Sequence, residues 1–111
     1  MAGLLFADMT KETASTLIPR LKDFFSTQPV SRVWLFGSFS RGEESEKSDV
    51  DILLEFDKRQ KITLFTMGHI YSALTKMLHR AVDLVEIDTL MPYALPSVNR
   101  DKILIYERKN P

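Results

Sequence analysis

Two apolar runs, "RVWLF" at 32–36 and "DVDILLEF" at 49–56, stand on either side of a Gly-Ser pair and a charged stretch. This arrangement restricts the fold more than any other feature of the chain. Apolar residues on both parities of the first run predict a strand buried on two faces. In the second run, strand alternation sends Asp49, Asp51, Leu53 and Glu55 to one face and Val50, Ile52, Leu54 and Phe56 to the other. A helix is expected over about 63–79 and a third strand at "AVDLVEI", 81–87. Strand, strand, helix, strand is the order of a small α/β domain. The 111 residues suffice for one such domain, spanning 1–111.

The flanking segments are less decisive. Over 10–26, Ala14, Leu17, Ile18, Leu21, Phe24 and Phe25 recur at helical spacing. Pro19 interrupts them, which implies either a kink or a helix that starts only a turn before it. In the helix at 63–79, Leu64, Met67, Tyr71, Leu74 and Leu78 form one stripe, with Thr63 as N-cap. Phe65, Ile70 and Met77 widen the apolar surface and, with Tyr71, read as core or as a partner surface. Trp34 is expected to pack inside the first strand, and His69 and His79, ten apart, to be ordinary helix residues. "MPYALPSVN" allows a short helical turn, and "KILIYE", 102–107, a last strand or a remnant of helix.

Charge narrows the function. Fifteen Lys and Arg balance fifteen Asp and Glu, so no basic field favours nucleic acid or an anionic membrane. From Arg41 to Asp57, seven acids face only Arg41 and Lys47, a stretch that repels phosphate unless cations or backbone donors intervene. The absence of cysteine excludes disulfides and thiolate zinc sites. The apolar start "MAGLLFADM" is too short to span a membrane and lacks the basic lead-in of a signal peptide, so a cytoplasmic protein is expected.

Within this frame a few residues can carry chemistry. Glycine after a buried strand lets a ligand approach the backbone, and a helix opening at Ser38 would present free N–H groups to an anion. An ordinary turn with a serine N-cap is the plainer alternative. Asp49 and Asp51, with Cα atoms about 6–7 Å apart on one strand face, repel each other unless a hard cation lies between them. The plainer alternative is the polar end of an edge strand. Asp83 opens the third strand. If the second and third strands are neighbours, it comes beside Asp51, and three carboxylates suffice for a two-metal clamp on phosphates.

Gly37-Ser38, ten residues, then Asp49-Val50-Asp51 resembles the G-S-x10-D-x-D signature of the DNA polymerase β-type nucleotidyltransferase superfamily. "GSFSRG", "SDVDILLEF" and "VDLVEI" together resemble the minimal nucleotidyltransferases, over about residues 30–90. The resemblance implies an α/β (α+β) fold with a small mixed sheet flanked by helices. It implies Asp49, Asp51 and Asp83 as catalytic metal ligands for two Mg²⁺ ions, and Gly37, Ser38, Arg41 and Ser48 at the nucleotide. Arg41 contacts phosphate or pairs with Glu43 or Glu44. Phe39 and Ser40 replace an Arg-Ala often found in the family, which removes a positive charge near the phosphates. The implied reaction moves a nucleoside monophosphate from an NTP, with ATP the expected donor, to an acceptor hydroxyl and releases pyrophosphate. The implied setting is an antitoxin that modifies a tyrosine of a small helical HEPN toxin. A catalytically weak nucleotide-binding module that neutralises its partner by complex formation is the alternative. Neither direct nucleic-acid binding nor a membrane is expected, and a homo-oligomer is compatible with both readings.

Overall fold

The computed structural model of the chain describes residues 12–109, so the apolar start at 1–9 and the opening of the expected first helix lie outside the described residues. Helix α1 runs Ala14–Phe25, strand β1 Val30–Phe36 and the single helical turn α2 Ser38–Arg41. Strand β2 covers Val50–Phe56, helix α3 Leu64–Leu78 and strand β3 Val82–Glu86. Two 3-10 turns, Ile87–Thr89 and Pro92–Ala94, lead into helix α4, Leu95–Asp101, and strand β4, Ile103–Glu107. The four strands form one mixed sheet in the order β3-β2-β1-β4. β1 is antiparallel to β2 and to β4, and β2 is parallel to β3. Parallel neighbours need a crossover, and α3 provides it.

Local chemistry explains the helix bounds. α1 begins little more than a turn before Pro19, where the ring forfeits few intrahelical bonds. The Thr63 hydroxyl accepts from the Phe65 N–H at 3.2 Å, and the Thr63 N–H donates to Thr66 Oγ1 at 3.0 Å. That pair caps α3 as expected. At the other end His79 stands in the left-handed region, φ 52, and its N–H donates to the Thr75 carbonyl at 3.0 Å. His79 is therefore the cap that stops α3 and not a residue within it, a correction to the sequence reading.

The sheet is buried on both faces. α1 lies against β4 and α3 against β3. Leu17, Leu21 and Phe25 of α1 and Ile70, Leu74 and Leu78 of α3 meet Val33, Leu35, Val50, Ile52 and Leu54 of the sheet. On the other face, Trp34 and Leu53 pack with Val98 of α4, flanked by Phe36, Val85, Ile87 and Leu90. The two-sided burial of β1 and the alternation of β2 follow the sequence pattern. The contact line of α3 does not. Ile70 is in the core, whereas Leu64 and Phe65 are 95% and 85% exposed and Tyr71 is 47% exposed. A helix apolar on more than one side offers several stripes, and only the sheet selects among them. The segment expected to give at most a short turn holds α4, because Pro96 sits in its first turn, where no N–H is needed. Among the described residues no helix is long and apolar enough to cross a membrane.

Candidate active site

Asp51 is the second residue of β2, and the sheet gives it two neighbours. Its Cα partner in parallel β3 is Asp83, and its partner in antiparallel β1 is Phe36. Parallel partners point to the same side of a sheet, so Asp51 and Asp83 stand together on the face covered farther along by Trp34 and Leu53. Asp49 precedes β2 by one residue. Asp49 and Asp83 are exposed, and Asp51 is half-buried between them.

β1 ends at Phe36, and Gly37 turns the chain directly over Asp51. Gly37 has φ 72 and ψ −154, and a Cβ built on it would overlap the Asp51 carboxylate, 2.8 Å from its Cγ. Only glycine leaves the aspartate its place. The Ser40 and Arg41 N–H groups turn back to the Gly37 carbonyl at 3.1 and 3.3 Å. The N–H groups of Ser38 and Phe39 precede this first hydrogen-bonded turn and are the ones an anion can use. α2, the helix expected to open at Ser38, is a single turn that closes at Gly42.

The electrostatics follow from this crowding. Burial pushes the Asp51 carboxyl up to about 6, and repulsion from Asp83 and then Asp49 adds to it, while Arg41 opposes the rise. A cation beside these carboxylates would relieve the repulsion and favour the ionised form of Asp51. Among the described residues no group of three or more His, Asp or Glu side chains is gathered closely enough to hold a metal ion by itself. Asp49, Asp51 and Asp83 form an open row instead. Their all-oxygen donor set suits Mg²⁺, which usually keeps water and phosphate oxygens in its shell.

Of the other expected site residues, Arg41 settles near Asp51, but its guanidinium is engaged. Nε donates to Glu43 Oε2 at 3.1 Å and Nη1 to Asp101 Oδ2 at 2.9 Å. Glu43 is therefore the loop partner and Glu44 is not. Asp101, the last residue of α4, could not be found from the sequence because its helix was not legible there. Replacing Asp101 with Asn leaves Arg41 one carboxylate fewer to neutralise it. An inorganic phosphate probe is expected to bind about two- to fivefold more tightly, with little change in melting temperature, as for an exposed ion pair. Weaker binding in a titration would mean that Asp101 orders Arg41 for the anion. The Ser48 hydroxyl accepts from the Ser45 N–H at 2.8 Å and shapes the loop before Asp49.

Residues 20–111 match the family model described as "Polymerase beta, Nucleotidyltransferase". The protein adenylyltransferase MntA of Thermococcus cleftensis is 32% identical over 95 residues, covering 86% of this chain and 94% of that protein. A structure assigned to the minimal nucleotidyltransferases is 30% identical with a TM-score of 0.69, and the likeness covers 83% of this chain and 95% of the other. A chain from the complex of the tri-AMPylated HEPN toxin of Shewanella oneidensis with its MNT antitoxin shares the fold at a TM-score of 0.56 and 19% identity, covering 86% of this chain and 70% of that one. With the family model matched over nearly the whole chain and the sheet placing Asp51 beside Asp83 under a glycine turn, this chain belongs to the polymerase β-type nucleotidyltransferases.

Proposed function

We propose that the chain is a protein adenylyltransferase that moves AMP from ATP to a side-chain hydroxyl of a partner protein. The reading is carried by one observation: Asp51 and Asp83 occupy the same row of the sheet, directly under the turn at Gly37. Asp49 and Asp51 would hold two Mg²⁺ ions, with Asp83 completing one of the two sites. Bound there, the metal ions neutralise the phosphates and lower the pKa of the acceptor hydroxyl.

The chain's own residues do the rest. Gly37 and the N–H groups of Ser38 and Phe39 receive the phosphates, and Arg41 and Ser48 border that region. Asp83, exposed at the head of β3, would help take the acceptor's proton. The acceptor oxygen bonds to the α-phosphorus while the bond from that phosphorus to the bridging oxygen breaks, and pyrophosphate leaves. Catalysis rests on positioning and charge neutralisation and needs no covalent protein intermediate. An open row of carboxylates, with Asp49 and Asp83 at the surface, suits a macromolecular acceptor better than a small enclosed one.

The relative named protein adenylyltransferase MntA supports AMP as the transferred group, and the AMPylated toxin complex supports a HEPN protein as acceptor. A tyrosine is the acceptor side chain we expect. The exposed Leu64, Phe65 and Tyr71 of α3 favour a second reading, neutralisation of the partner by binding alone. Both are tested by the intact mass of a HEPN partner after incubation with the protein, ATP and Mg²⁺, beside the Asp49→Asn/Asp51→Asn double mutant. Whole AMP units on the partner, absent with the double mutant, are expected. An unmodified partner in a stable complex would replace the enzyme by the binding module.

A further inference from the structure

Asp49 poses a problem of support. It lies one residue outside β2 and is exposed, at the end of a loop rich in charge and free of buried anchors. Its backbone is nevertheless held on both sides, and from one place. The Val50 N–H donates to the Ala81 carbonyl at 2.9 Å. The Ser48 carbonyl, in the peptide that leads into Asp49, accepts from Arg80 Nη1 at 2.8 Å. The same nitrogen donates to the Ser45 carbonyl at 3.1 Å, so it clamps both ends of the turn that the Ser48 N–H closes on Ser45. The Arg80 guanidinium carbon stands 5.1 Å from the ring centroid of Phe39, which is 1% exposed and belongs to the turn after Gly37-Ser38.

We propose that Arg80 is a positioning residue that sets Asp49 relative to the phosphate turn and to Asp83. The inference rests on the reading of Asp49 as a metal ligand. Arg80 touches no reacting atom. It joins the loop before β2, the ring of α2 and the head of β3, the segments that carry Asp49, the phosphate turn and Asp83. Planarity is what the position needs, because one face must lie on Phe39 while an edge N–H reaches two carbonyls. Lysine offers a point charge with no flat face and cannot reproduce the clamp. The capping residue His79, in its left-handed conformation, turns the chain out of α3 immediately before Arg80.

The test compares Arg80→Ala and Arg80→Lys with wild type in a Mg²⁺ titration of AMP transfer at saturating ATP. With Asp49 loosened, the Mg²⁺ needed for half-maximal rate is expected to rise about tenfold in Arg80→Ala and kcat to fall about 10–100-fold. KM for ATP should stay within about threefold, since Arg80 meets only the ring of Phe39 and bonds to no N–H of the turn at Gly37, and Arg80→Lys should recover only part of kcat. A purely structural role would lower the melting temperature without moving the metal requirement, and that result would overturn the proposal. A second readout needs no turnover: hydrogen exchange at residues 45–51 with Mn²⁺ and a non-hydrolysable ATP analogue. Protection by the metal in wild type that is lost in Arg80→Ala supports the positioning role. Equal protection in both overturns it. Wild type with neither transfer nor metal-dependent protection would sink the metal reading of Asp49 and the inference with it.

Discussion

Asp51→Asn is expected to abolish AMP transfer and, in the same molecule, to stabilise the metal-free protein at neutral pH. The first effect comes from removing the carboxylate at the centre of the row, and a loss of about 10³-fold or more in kcat is of the size expected for a group that acts on developing charge. The second comes from its raised pKa. Burial, with Asp83 and Asp49 nearby, holds the carboxyl at about 6 in the folded chain, against roughly 3.9 when unfolded. A carboxyl raised on folding favours the folded state most below its unfolded pKa and loses that contribution as pH rises through the folded value. Ionised Asp51 thus weighs against the fold above pH about 6, by about 1–2 kcal/mol once partial solvent access is allowed for. Asparagine removes the penalty. Urea unfolding should show the two proteins alike near pH 4, with the variant more stable at pH 7.5. A gap that does not change with pH would contradict this account of the site. Mg²⁺ with a nucleotide analogue should raise the stability of the wild type only, since a ligand stabilises what it binds.

Gly37→Ala is expected to be as damaging by a different route. At φ 72 and ψ −154 the backbone occupies a region that residues with a Cβ avoid, at a cost of about 1–3 kcal/mol. The new methyl also overlaps the Asp51 carboxylate. Displacing that carboxylate removes the metal ligand, and displacing the turn removes the phosphate donors, so nucleotide binding and transfer should both be lost. The two contributions separate in a double-mutant cycle with Asp51→Ala. Without the carboxylate the overlap is relieved while the backbone strain stays, so the double mutant should be more stable than additivity predicts by about 1–2 kcal/mol. Denaturation of the four proteins measures this directly, and strict additivity would show that the two residues do not share the space.

Much of the site could be read before the fold was seen, for identifiable reasons. The alternation that sets Asp51, Leu53 and Glu55 on one face of β2 is a local property with a period of two residues, although Asp49, expected on the same strand, lies one residue ahead of it. The glycine at the end of β1 is likewise a local requirement. What stayed illegible depends on partners far along the chain. α3 has apolar residues on several sides, so its periodicity could not show that Ile70 would be buried while Leu64 and Phe65 face solvent. α4 is seven residues long and contains a proline, too little pattern to announce a helix, and Asp101 could not be matched to Arg41 without it. Arg80 is one arginine among many until its guanidinium is seen on Phe39 and on two loop carbonyls.

By itself, then, the sequence determined strands β1 to β3, helices α1 and α3, the two-sided burial of β1 and the acidic face of β2, because each follows from side-chain periodicity and turn chemistry within a few residues. The tertiary structure alone decided the register. Asp51 could lie beside Val82 or Leu84 as far as the strands' composition shows, and a slip of one residue would turn Asp83 to the opposite face. The crossover through α3 and the packing of its 70-74-78 line against the sheet put Asp83 opposite Asp51. Contacts between distant segments hold the carboxylates at one sheet end, and no local pattern encodes them.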